Sequence, residues 1–162
     1  IIHSGVYKAL PDANCVLHTH TRAGAGVSLM KKGLRPISQD HLHVIDTVVY
    51  HEYGVPATPE ECEALGRSLS GGGSCVVLLN HGLLTLGETI HGAMMRLYML
   101  ERACELELIS RQLGEEPVIV DEYVQQKAAE RMKRVRPTEA YGLAEWKGLV
   151  RTAERLGFDW RR

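Results

Sequence analysis

A chain of 162 residues is of one-domain length and long enough to bury a core. Its apolar residues (44%), charged residues (24%) and formal net charge of -1 are those of an ordinary globular protein. They exclude the basic surface that nucleic-acid binding uses, and no apolar run reaches the roughly 20 residues of a transmembrane helix.

In chain order, Ser4 to Ala9 gives a helical turn or two, closed by the turn signal Pro11-Asp12. Ala13 to His20 is the first expected strand. Small residues from Thr21 to Lys32 predict a short helix stopped by Gly33. Leu34 to Ile37 restarts an extended segment, and the β-branched run Val44 to His51 predicts a strand. Gly54 to Ala57 is a loop. Thr58-Pro59-Glu60-Glu61 combines a capping Thr, a Pro at the first helical position and a Glu at the third, so a helix should run to about Leu69.

Gly71-Gly72-Gly73 lacks the Lys-Ser/Thr of a phosphate loop and is a flexible connection. The unbroken apolar run Ser74 to Asn80 predicts a fully buried strand. Leu83 to Thr85 leads on to Gly87. Apolar residues then recur at helical spacing from Glu88 to Leu113, with Gly114 as the stop. Asp121 can cap a helix to about Val135, and Thr138 to Leu156 is the last helix, ended by Gly157. The basic run Arg131 to Arg136 suits a helix end. Strands alternating with helices give a sheet covered by helices.

The four cysteines (Cys15, Cys62, Cys75, Cys104) form no CxxC pair, which favours a reducing compartment over a disulfide framework. Nothing at the N-terminus has the character of a signal peptide, so a cytoplasmic location is expected. The chain starts Ile1-Ile2-His3, without a methionine and directly in a patterned segment. It reads as a single domain whose N-terminal portion is missing.

The chemistry concentrates where two apolar runs end. In a strand, His18 and His20 project from the same face because side chains alternate. The second run ends in Asn80-His81-Gly82 and offers a third imidazole. Catalytic zinc sites use three protein ligands and keep a fourth position open. Spacing alone leaves ordinary strand polarity as the alternative for the pair, and it does not bring His81 to them.

Pro11-Asp12-Ala13-Asn14-Cys15-Val16-Leu17-His18-Thr19-His20 followed by Asn80-His81-Gly82-Leu83-Leu84 resembles the class II aldolase/adducin head family. Ile2-His3-Ser4-Gly5-Val6-Tyr7 also fits, and Tyr50-His51-Glu52-Tyr53-Gly54 resembles the adducin-like branch. The resemblance covers nearly the whole chain. It implies a three-layer α/β/α domain with a central mixed, mostly antiparallel sheet. It implies a divalent metal, usually zinc, held by His18, His20 and His81, in a homotetramer with active sites between subunits.

Enzymes of that family are aldolases, epimerases and dehydratases acting on sugar phosphates, with decarboxylases in related branches. The shared logic is Lewis-acid stabilisation of an enediolate. By the same resemblance, the main acid/base carboxylate falls just upstream of Ile1, and the phosphate-binding loops lie further upstream. A tyrosine used as a proton donor falls near Gln39, which has no comparable acidity. Adducin heads keep much of the pattern as cytoskeletal modules.

Asp40, His41 and His43 lie roughly where the family places residues lining a neighbour's active site, and Asp40 and His43 are acid/base candidates. Solvated loop residues are the alternative for this cluster. His51 and Glu52 suggest strand-end polarity or support for a ligating histidine. Thr19 and Thr21 are expected to pack or hydrogen-bond, and His3 and His91 to lie on the surface or a helix face. Glu115 and Glu116 should be solvated, and Tyr141, Trp146 and Trp160 packed.

Two functions follow. One is a zinc-dependent class II aldolase-like lyase acting on a small hydroxy-carbonyl compound, a phosphorylated sugar by resemblance. The other is a non-catalytic, oligomerising adducin-like module. A structural zinc site ranks below both, because no fourth Cys or His is well placed to close it.

Overall fold

The computed structural model describes residues 2–55 and 58–159. In chain order it contains α1 (Ile2–Ala9), β1 (Cys15–Thr19), α2 (Arg22–Ser28), α3 (Gln39–Leu42), β2 (Val48–His51) and α4 (Pro59–Leu69). There follow β3 (Cys75–Leu78), β4 (Gly82–Gly87), α5 (Ile90–Gln112), α6 (Glu122–Val135) and α7 (Leu143–Arg155). The helix starts are set locally. Thr58 Oγ1 accepts from Glu61 N, Thr89 Oγ1 from Gly92 N and Asp121 Oδ1 from Tyr123 N, each satisfying an amide that the helix itself leaves unpaired.

The sheet order is β1-β4-β3-β2. β4 runs antiparallel to both β1 and β3, and β2 runs parallel to β3, so the sheet is mixed and mostly antiparallel. Every residue of β3 is buried. Cys75 and Val77 pack with Ala23 and Val27 of α2 and with Leu97, Leu100 and Cys104 of α5. Val76 and Leu78 point the other way, into a cluster with Val6 of α1 and Leu65 and Leu69 of α4. A strand covered on both faces carries this unbroken apolar run because neither face meets water. Helices on each side of the sheet give the expected three layers.

Several expected boundaries shift. The strand over Val44 to His51 starts only at Val48. Ile45–Thr47 is a 3-10 turn in which the Thr47 hydroxyl donates to Val44 O at 2.8 Å, competing with a ladder. The first strand is Cys15–Thr19, which leaves His20 just beyond it. Gly82–Gly87, expected only as a lead to Gly87, is the strand β4. Gln39–Leu42 is a helix the pattern did not suggest, capped by Ser38. The last helix begins at Leu143, not Thr138, because Tyr141 N turns back to Thr138 O at 3.0 Å.

Leu34 to Ile37 forms no strand; isolated side-chain and backbone hydrogen bonds hold it instead. Tyr50 Oη accepts from Leu34 N at 2.8 Å, and Val120 N donates to Pro36 O at 2.9 Å. The fully buried Glu107 of α5 accepts from Arg35 Nε at 2.9 Å, Arg35 N at 3.2 Å and Arg111 Nε at 2.8 Å. His41, also fully buried, places Nε2 3.7 Å from Glu107 Oε2. Arg136, at the end of α6, donates to His43 O and pairs with both oxygens of Asp46. No helix among the described residues is long and apolar enough to cross a membrane.

Candidate metal centre

His18 lies opposite Leu84 in the β1–β4 ladder, and Thr19 lies opposite Leu83. The turn that delivers His81 into β4 is therefore held against the end of β1. Asn80 adopts a left-handed φ of 58°, which asparagine tolerates better than most residues, and its N–H donates to Ser28 O at 2.9 Å. At Gly82 a Cβ would stand 2.4 Å from Thr19 O and 3.1 Å from His20 Cδ2. Only glycine lets the turn approach β1 this closely.

The ring nitrogens of His18, His20 and His81 that could act as ligands all lie within 4.8 Å of one another. The ring centroids are 4.6 to 4.8 Å apart. His18 Nδ1–H donates to Leu83 O at 2.8 Å, which turns the lone pair of Nε2 inward. That Nε2 is 2.8 Å from Nε2 of His20. Two nitrogens on one tetrahedral zinc, each at roughly 2.0–2.1 Å, stand about 3.3 Å apart, so a modest ring adjustment fits an ion between them. Burial holds His18 and His81 below the ordinary histidine value of 6.5, with neighbouring imidazoles contributing. Neutral rings are what a metal needs.

Burial also lowers His41 and His43. The folded state thus resists protonation at four histidines while the unfolded chain takes up protons near 6.5. Stability rises with pH through that window and is lost as pH falls below it. The urea midpoint of metal-free protein is expected to drop between about pH 7.5 and 5.5, and an unchanged midpoint would refute this.

His51 and His91 serve the scaffold. His51 is 4% exposed and bonds Ser68 Oγ at 2.9 Å and Glu61 Oε1 at 3.0 Å, so it supports none of the three clustered imidazoles directly. Glu61 is nevertheless near enough for its charge to act on His81. His91, expected on the surface or a helix face, lies on α5 but is buried, and its Nδ1 is 2.9 Å from Tyr141 O. His3 is exposed, and its charge acts on His18.

Asp40 pairs with Arg102 Nε at 3.0 Å. His43 lines a cavity of about 600 Å³ bounded by parts of α5, α6 and α7. Within this chain neither joins the three imidazoles. Thr21 donates to Glu101 at 2.5 Å, as a hydrogen-bonding residue should, while Thr19 Oγ1 has no hydrogen-bond partner among the described residues. Tyr141 is packed beneath Arg96, Trp146 lines a cavity between α5 and α7, and Glu116 is solvated. Trp160 lies outside the described residues.

Two neighbours of the centre escaped the sequence. Glu61 is legible there only as a helix-start residue, although its carboxylate faces His51. Tyr53 stands edge-on to His81 with ring centroids 6.1 Å apart.

Residues 1–108 match the family model "Class II Aldolase and Adducin N-terminal domain". Over 99% of its length the chain is similar to an aldolase II superfamily protein of Pseudomonas syringae, with a TM-score of 0.91 and 38% identity. It is 43% identical over 108 residues to alpha-adducin of Mus musculus, covering 66% of this chain. L-fuculose 1-phosphate aldolase of Glaciozyma antarctica matches 80% of the chain with a TM-score of 0.69 and 28% identity. The chain spans 64%, 15% and 49% of these proteins respectively. The chain belongs to the class II aldolase and adducin family.

Proposed function

We propose that His18, His20 and His81 hold one divalent ion, zinc, and that the chain is the metal-binding part of a class II aldolase-like lyase. The observation that carries this reading is the convergence of three ring nitrogens within 4.8 Å, with His18 already oriented by Leu83 O. When bound, the ion supplies Lewis-acid charge that offsets the negative charge developing on a hydroxy-carbonyl substrate as a C–C or C–H bond breaks. The three imidazoles hold and orient, and the carbonyl of Leu83 fixes the tautomer. A phosphorylated sugar is the substrate class, by likeness to the fuculose-phosphate aldolase. Asp40 and His43 act as acid/base groups at a neighbouring copy's site in a homotetramer. The four cysteines form no disulfide, which fits a cytoplasmic location.

The identity to alpha-adducin favours a second reading, a non-catalytic interaction module. Elemental analysis of protein purified without added metal tests the first reading. About one zinc per chain is expected, with release only as pH falls below the ordinary histidine value, because the rings stay neutral above it. Absence of bound metal, together with failure to take up added zinc, would favour the module.

A further inference from the structure

β2 ends at His51, and Leu79 N donates to His51 O at 2.8 Å, so the chain leaving β2 runs beside the turn that carries His81. Tyr53 follows two residues later. Its ring is 56% exposed, lies 6.1 Å from the His81 ring at an interplanar angle of 88°, and packs into neither core cluster. Its hydroxyl has no hydrogen-bond partner among the described residues. A phenol ring so placed is within one small ligand's length of the point on which the three imidazoles converge.

The strand end before Tyr53 is fixed by side chains. The buried His51 is held at Nδ1 by Ser68 Oγ and at Nε2 by Glu61 Oε1. The second oxygen of Glu61 lies so close to Gly54 that a Cβ there would be 1.8 Å away. Ser68 and Glu61 thus fix His51, two residues before Tyr53, and Glu61 also lies against Gly54, the residue after it. An exposed, amphipathic side chain that follows a fixed strand end suits a ligand contact.

We propose that Tyr53 is the substrate-facing residue of this centre, its hydroxyl donating to an oxygen of the bound hydroxy-carbonyl ligand, and that Glu61 is the positioning residue that holds it there. The proposal rests on the metal-lyase reading above and adds to it a residue and its support. The probe is acetohydroxamate, which offers two adjacent oxygens as a hydroxy-carbonyl compound does, titrated into the cobalt-loaded full chain and followed by visible absorption.

Tyr53→Phe is expected to keep cobalt affinity and to weaken acetohydroxamate binding about tenfold or more, the loss of one hydrogen bond to a charged acceptor. Glu61→Gln should weaken it in the same direction. In the double variant its effect should vanish, which a merely structural role would not produce. Equal hydroxamate affinity in Tyr53→Phe overturns the proposal while leaving the metal reading intact. So does cobalt binding without hydroxamate binding in the unchanged protein. Failure of the unchanged protein to bind cobalt removes the metal reading, and this inference with it.

Discussion

Replacing His18 or His81 by alanine is expected to lower zinc affinity by more than about a hundredfold, beyond the 10–100-fold that follows from losing an outer-shell partner alone. The two losses should differ. His18 is held by a 2.8 Å hydrogen bond to Leu83 O that already sets its tautomer, so two less constrained rings remain when it is removed. His81 approaches from the turn, and without it only the pair at the end of β1 remains. None of the three side chains belongs to either core cluster, so both variants should keep their far-UV circular dichroism. Competition with a chromophoric chelator measures the affinities. Tight, stoichiometric zinc in either variant would remove that residue from the ligand set.

The second large effect lies away from the centre. Glu107→Gln is expected to destabilise the fold by about 3 kcal/mol, at the lower end of the range for breaking a buried ion pair. The carboxylate has no exposed surface and serves Arg35 and Arg111 together. Both arginines are partly exposed and recover some hydration once it is neutralised, which keeps the loss from being larger. An amide also has one oxygen where the carboxylate has two, so the Arg35 amide or guanidinium loses its acceptor. Urea denaturation with an unchanged slope would report this loss, whereas a change below about 0.5 kcal/mol would show the cluster to be dispensable.

The sequence disclosed what local chemistry decides. The Thr58-Pro59 start of α4 and the apolar run of β3 stand where expected, because a cap and a two-sided core are written in neighbouring residues. β4 was hidden by glycines at both ends, one of them there to admit the turn against Thr19. α3 spans four residues, too few to show a period. In the site, the HxH alternation was visible but its third partner came only from the family motif, since pairing of β1 with β4 is a long-range fact. Glu107 and Arg35 are 72 positions apart, and a helical glutamate looks like any solvated one. The same holds for His51, whose partners Glu61 and Ser68 emerge from a helix packed across the sheet.

The β1–β4 ladder has a temporal consequence. It brings His18 to Leu83, 65 positions along the chain, so the loop it closes takes in α2, α3, β2, α4 and β3. Entropy penalises such a closure until distant contacts offset it, which places it late among folding events. The three imidazoles therefore come together only once β1 has paired with β4. An ion held by them would not nucleate this fold as zinc nucleates a zinc finger; it would lock the product, delaying the escape of a sheet that has already closed.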